Sequence, residues 1–248
     1  MTGRLSDSRP VSIMLIAKQE SAKTETLKHF FGTPTLEYIS DLTSRGLIPY
    51  REKIQSGTLR HLVLLDLVRI IAHGRGVTER TLQTLAALME EGETTTSDAG
   101  EKVSWIGFPR IGVLMGITTD FFHMKRAHWR KTGFLSRFLP VSFQYSDRTV
   151  LAIHNAISNG NPIPKPHVLK LPEKSVLVTI STEHSNELSQ QAQLIGRSMK
   201  TYGFRYQKAM RALAKASALI RNSPTVNEED VQNVIRWSEF FTLKEVEL

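Results

Sequence analysis

The chain has 248 residues, enough to bury an α/β core and still carry a small second domain, and its 40% apolar content is that of a folded protein. Cysteine is absent, which excludes a disulfide frame, thiol chemistry and cysteine-based zinc sites; no apolar run is long enough to span a bilayer, and the start lacks a signal-peptide apolar region, so a soluble cytoplasmic protein with no membrane role is expected. A formal net charge of +8 points toward a polyanionic partner such as nucleic acid.

Residues 1–10 read as a polar leader ending in Pro10. The run Ile13-Met14-Leu15-Ile16 predicts a strand at about 11–16 that stops at Ala17. Leu27, Phe30 and Phe31 then recur at helical spacing, so a helix is expected over about 23–31. Between them, Lys18, Gln19, Glu20, Ser21 and Ala22 lead into Lys23 and Thr24. This is the layout of a phosphate-binding loop, commonest as G-x-x-x-x-G-K-S/T between a strand and a helix. In such a loop backbone N–H groups cradle phosphate, the lysine reaches the terminal phosphates and the hydroxyl binds Mg²⁺. Alanine fills both glycine positions here, at Ala17 and Ala22. The bland alternative for Lys23-Thr24 is a solvated helix start.

Thr35 to Ile39 follows the Gly32-Thr33-Pro34 breaker as a second short strand. Leu62-Val63-Leu64-Leu65 is a continuous apolar run, as in a strand buried on both faces, and closes at Asp66. Asp66 is a candidate Mg²⁺ group or a strand-end cap. Thr78 to Glu90 predicts a helix with Leu82, Leu85, Leu88 and Met89 on one face, followed by a polar, turn-rich patch from Glu93 to Lys102. Ile111 to Ile117 reads as another buried strand ending at Thr118, Phe121 to Lys131 as a basic helix, and Leu139 to Phe143 as a last strand. The basic aromatic run His123 to Lys131 suits either an exposed helix or subunit contact, or nucleic acid. Strand–helix alternation argues for a parallel sheet with helices on both faces, whose ligands sit beyond the carboxyl ends of strands. Lys23, Asp66 and Thr118 all fall at such ends.

The stretch Asn159 to Pro166 is too rich in proline for helix or central strand and reads as a semi-rigid linker. Helices follow at Ser185–Met199, Tyr206–Arg221 and Glu228–Phe240, the last opened by Asn227 with Glu228, Glu229 and Asp230 in its first turn. The division expected is therefore an α/β core over 1–155, a linker over 156–175 and a helical lid over 176–248.

In order and type, these motifs resemble the AAA+ ATPases, and among them the MCM-type (minichromosome maintenance) replicative helicases. Ala22-Lys23-Thr24-Glu25-Thr26-Leu27 is similar to that family's loop, which commonly has alanine before the lysine. Leu62 to Asp66 looks like the Walker B strand, Met89-Glu90-Glu91 and Ala99-Gly100 like the helix end and presensor hairpin, and Val113 to Thr118 like the sensor 1 strand. Leu135-Ser136-Arg137-Phe138 resembles the Ser-Arg-Phe whose arginine reaches the neighbouring subunit's nucleotide; Arg205 sits where sensor 2 is expected. The resemblance implies a P-loop NTPase (AAA+) parallel sheet with a C-terminal helical lid, ATP and Mg²⁺ as cofactors, and a homo-oligomeric ring of six copies. DNA and replication proteins would be its partners. Lys23 would hold the β- and γ-phosphates, Thr24 and Asp66 the Mg²⁺, Thr118 would orient water, and Arg137 and Arg205 would act across the subunit boundary.

The chain departs from the family pattern at definite points. Leu67 follows Asp66 where the family has glutamate, which removes the obvious general base; Glu79, Glu90 and Glu91 are the substitutes to consider. Ala17 and Glu20 replace residues with freer backbones, and Asp98 stands where a basic DNA-contacting residue is expected, with Lys102 four residues on. The segment Gly46 to Asp66 is shorter than the family's, and the first strand begins so early that an N-terminal DNA-binding domain is not expected. An ATP-driven DNA motor is therefore one expectation, and a nucleotide-stabilised assembly protein with little or no hydrolysis is the alternative.

Overall fold

The computed structural model describes residues 1–92, 95–98, 101–104, 109–160, 166–241 and 243. Its centre is a five-stranded sheet, parallel throughout, with β1 (Ile13–Ala17), β2 (Leu36–Ile39), β3 (His61–Leu64), β6 (Gly112–Thr118) and β7 (Leu139–Ser142) in the order β2-β3-β6-β1-β7. The apolar runs become the inner strands because both of their faces are covered. Met14, Ile16, Leu62, Leu64, Val113, Met115 and Ile117 face one layer, where α3 (Leu67–Ile71), α4 (Arg75–Glu90) and α5 (Thr119–Lys131) contribute Leu67, Leu85, Leu88, Phe122 and Trp129. Leu15 and Val63 face the other layer, where α1 (Lys23–Lys28) seats Leu27. The alternation follows from the two-residue period of a strand. The α/β class with a parallel sheet flanked by helices is as expected.

Chain connectivity makes β1 the pivot. Each end of the sheet is reached from its vicinity: β1 leads out to the β2 edge, and the chain returns through β3 and β6 before crossing β1 to β7. Such a reversal leaves a crevice beyond the carboxyl ends of the central strands.

After β7 the chain forms α6 (Asp147–Ser158), capped by the Ser146 hydroxyl accepting from the Thr149 N–H at 3.2 Å. This helix was not foreseen, although Val150, Ile153 and Ile157 share a helical face; none of its residues is buried. It takes up the last residues of the expected core and the first of the expected linker. Residues 161–165 of the proline-rich stretch lie outside the described residues. Beyond them α7 (Thr182–Ser198), α8 (Phe204–Ile220) and α9 (Glu228–Trp237) pack together, with Ala212, Ala214, Ala216 and Ala218 of the central α8 all buried. α9 opens with a reciprocal capping box between Asn227 and Asp230, and Asp230 is also held by Arg221. A single apolar cluster runs from Met14 and Leu85 through Leu188, Met210 and Val234, so the helices share their interior with the sheet layer.

Two local expectations are corrected. The polar leader is packed into the fold: Thr2, Gly3, Leu5 and Pro10 are buried, Leu5 bridges to Val176, and Lys215 of α8 is paired with Asp7. The first helix ends at Lys28, not Phe31, because three-residue turns take over (Phe31 N–H to Lys28 C=O, Thr33 N–H to Phe30 C=O), and Phe31 is left 56% exposed. The polar, turn-rich patch after α4 does contain a hairpin, antiparallel, of β4 (Thr95–Asp98) with β5 (Glu101–Ser104), Asp98 opposite Glu101 and Ser97 opposite Lys102. Ala99 and Gly100, singled out for their likeness to the presensor hairpin, lie outside the described residues.

His61 at the head of β3 gives the fold an acid-sensitive point. It is buried beside Thr2, whose hydroxyl lies 3.3 Å from Nε2; burial, with the nearby N-terminal ammonium, pushes its pKa down to about 3. A depressed histidine contributes stability in full above its unfolded value of about 6.5 and loses it as the pH falls from there toward 3. The urea midpoint should therefore fall as pH is lowered from 6.5 to 5, a range above ordinary carboxylate titration. His61→Gln should flatten that decline; an unchanged decline would assign it to another group.

Candidate functional site

Four elements meet beyond the carboxyl ends of the central strands. β1 delivers Ala17, β6 delivers Thr118 directly opposite it in register, β3 leads through Leu65 to Asp66, and α1 begins with Lys23. Gly116 lets α1 come this close: a Cβ there would sit 3.4 Å from both the Leu27 Cδ1 and the Leu65 carbonyl oxygen, and 3.6 Å from the Lys23 Cβ. The sequence-derived residues Lys23, Thr24, Asp66 and Thr118 are thus gathered at one end of the sheet.

The loop from Lys18 to Ala22 is wound tightly. Glu20 (φ 61°) and Ala22 (φ 52°) both occupy the left-handed region, which costs a non-glycine residue about 1 kcal/mol or more each. Ala17, expected to need glycine's freedom, is instead ordinary strand. The strained positions are held from outside: Ser21 is buried, and the Tyr145 hydroxyl, from the segment after β7, donates to the Ser21 carbonyl at 3.0 Å. Tyr145 is a supporting residue that spacing alone gave no reason to select. Lys23 folds back over the loop, its ammonium donating to the Ala17 carbonyl at 3.0 Å and to the Lys18 carbonyl. Burial lowers its pKa, while the Asp66 carboxylate opposes that shift. Gln19, Glu20 and Thr24 are exposed.

Asp66 is the N-cap of α3, its carboxylate accepting from the Val68 N–H at 2.9 Å, and it remains exposed. The strand-end cap considered from sequence is therefore present, and the second carboxylate oxygen is the part left for a cation. Leu67 is wholly buried in the core cluster. Among the described residues no group of three or more His, Cys, Asp or Glu side chains is placed to hold a metal ion, so a cation here would depend on a bound anion for much of its coordination. No helix among the described residues is long and apolar enough to cross a membrane.

Arg137 and Arg205 lie elsewhere. Arg137 precedes β7, and Arg205 lies in the first turn of α8, so both are beyond the amino ends of the strands, across the sheet from Lys23. They line one cleft of about 460 Å³ together with Arg9, Glu90, Arg110 and Lys208. Arg205 Nε is 2.7 Å from Glu90 and its Nη1 donates to the Ser136 hydroxyl at 2.9 Å; Arg9 pairs with the same Glu90. Burial pushes the Glu90 carboxyl up, but the two guanidiniums more than offset this and hold it below its usual value. Arg137 is more enclosed, donating from Nε to the Ala86 carbonyl at 3.1 Å and from Nη1 to the Gly133 carbonyl at 2.7 Å. Glu90 is thus committed to the arginines and is remote from Asp66, and Glu79 is paired with Arg75. Arg9 carried no sequence signal, because its partner is 81 residues away.

No protein-family model and no curated protein sequence matches this chain.

The enclosure of Arg137 makes it a structural bond for the end of α4 whatever else it does. Arg137→Ala removes the guanidinium bonds to the Ala86 and Gly133 carbonyls, the latter still accepting from the Ser136 hydroxyl, and stability should drop by about 1–2 kcal/mol in urea unfolding. A variant as stable as the parent would mean that the side chain is held only loosely.

Proposed function

We propose that the chain is an ATP-binding module of the AAA+ type, similar to the MCM-type helicases, that works as a head-to-tail homo-oligomer on DNA. The observation that carries this reading is the convergence of Lys23, Thr24, Asp66 and Thr118 beyond the carboxyl ends of β1, β3 and β6. A loop strained at Glu20 and Ala22 and tied by Tyr145 is the kind of backbone kept where it serves a ligand. The residues present fit a triphosphate with Mg²⁺: exposed Glu20 leaves its carboxylate solvated, and the Lys23 ammonium rests on carbonyls that phosphate oxygens can replace.

In this reading Ala17 to Ala22 form the cradle, Lys23 neutralises the terminal phosphates, Thr24 and Asp66 hold Mg²⁺, and Thr118 orients water at the end of β6. The bound ion supplies neutralisation of phosphate charge. Arg137 and Arg205 serve a neighbouring copy, since the length of β1 separates them from the loop of their own chain. A site split between opposite ends of one subunit is completed by heterologous contacts, which close into rings, six copies being what the resemblance implies. Arg205, 43% exposed in its side chain, is the better placed of the two to reach across. Partners among replication proteins and a cytoplasmic location go with this reading.

A second reading is favoured by the burial of Leu67: nucleotide binds and stabilises the assembly without turnover. Titration calorimetry with Mg·ATP should give binding that Lys23→Ala removes; no heat at millimolar nucleotide would end both readings. Steady-state hydrolysis with and without DNA then divides them. Turnover that Arg205→Ala suppresses while binding persists supports the motor, and tight binding with no turnover supports the assembly role.

A further inference from the structure

The turn joining α7 to α8 exposes two aromatic rings. Tyr202 is 85% and Phe204 66% exposed, and the rings lie nearly parallel, 16° apart with centroids 5.8 Å from each other. The turn beneath them is rigid. The Thr201 N–H donates to the Gly196 carbonyl at 2.8 Å, and Gly203 at φ +80° lies so close that a Cβ there would fall 2.6 Å from the Ala192 carbonyl oxygen. Two large rings are therefore presented to solvent by a backbone with no room to withdraw them.

Beside the rings is a cleft of about 320 Å³ to which Arg130, Lys200 and Arg205 contribute, with no acidic side chain in its lining. The Nε of Arg130 is buried without a hydrogen-bond partner among the described residues. Through Ser136 and Arg205 this cleft joins the larger one, where Lys208 and Arg211 add positive charge and the two carboxylates of the lining, Glu90 and Asp7, are already paired with Arg9, Arg205 and Lys215. A phosphodiester chain satisfies these charges while its bases use the rings. Cations that track a backbone next to aromatic platforms are the pairing that single strands require. In a duplex the bases are already stacked.

We infer that the α7–α8 turn is a single-stranded nucleic-acid contact, with a base stacked on the Tyr202–Phe204 pair and adjacent phosphates held by Lys200, Arg130 and Lys208. This rests on nucleic acid being a partner, but not on nucleotide binding at Lys23. Fluorescence anisotropy with a labelled oligodeoxythymidylate of about 20 nucleotides, a duplex of equal length and inorganic polyphosphate tests it. The Tyr202→Ala, Phe204→Ala double variant should bind the single strand about 5- to 100-fold more weakly, as expected for one lost stacked base. Its affinity for polyphosphate should be unchanged, Tyr202→Phe should bind like the parent, and Lys200→Gln should reduce the log–log salt slope by about 1. Both rings are exposed, so thermal unfolding of the double variant should match the parent. Equal single-strand affinity in the double variant, or no preference for single strand over duplex in the parent, would overturn the inference. So would sedimentation in which the double variant loses self-association while keeping its affinity for the single strand, since the rings would then belong to a subunit contact. Calorimetry with Mg·ATP on the same proteins separates the two sites: a parent that binds the oligonucleotide but no nucleotide sinks only the loop reading.

Discussion

A parallel sheet has a direction, and that direction organises this molecule. All strands release their carboxyl ends on one side, so every loop that follows a strand is delivered there, and every segment that precedes one lies on the opposite side. Lys23, Asp66 and Thr118 share an edge for this reason, and Arg9, Arg110 and Arg137 share the other. The helical segment then commits itself to the amino side: α8 packs on the Thr2–Arg4 turn, and Lys215 reaches Asp7. Two charged regions are thereby built at opposite ends of the strands.

Each region is held by bonds that a ligand or partner would have to exchange. On the carboxyl side the Lys23 ammonium is partly desolvated and rests on backbone carbonyls, a weak set of acceptors for a full charge. On the amino side Glu90 accepts from Arg9 and Arg205 together, Asp7 pairs with Lys215 and Glu91 lies 3.6 Å from Arg137, so the cations of the cleft outnumber the carboxylates beside them. Desolvated cations with incomplete neutralisation favour an incoming anion over water, and this holds for both ends. The difference lies in enclosure. Arg137 is tied to Ala86 and Gly133, whereas Arg205 retains enough exposure to change partners.

Much of the sheet was legible because buried parallel strands are continuous apolar runs closed by a polar residue, as at Leu62 to Asp66 and Ile111 to Thr118. The short helices between β2 and β3 were not, since α2 (Arg51–Gln55) is only five residues long and leaves too short a period to detect. The leader was misread because burial of Thr2, Gly3 and Leu5 depends on His61, Val176 and α8, all far away in sequence and invisible to any local window. The site divides in the same manner. Lys23, Thr24 and Asp66 stand out through local spacing. Tyr145, Arg9 and the binding of Glu90 to Arg205 arise only when distant segments meet, and sequence periodicity carries no trace of such meetings.

The position after Asp66 illustrates how local geometry limits chemistry. Asp66 caps α3, and a capping residue must hand the chain directly into the first helical turn. That turn directs the next side chain inward, where Leu67 packs with Ile70 and Leu64 in the interior. A glutamate at 67 would therefore not reach solvent from this backbone; it would place a carboxylate in an apolar layer, where the neutral acid is favoured and no water is at hand to polarise. The apolar side chain at 67 is thus set by how β3 joins α3. A carboxylate exposed at position 67 would require a different exit from β3, one in which the residue after Asp66 is not the first, inward-facing residue of α3.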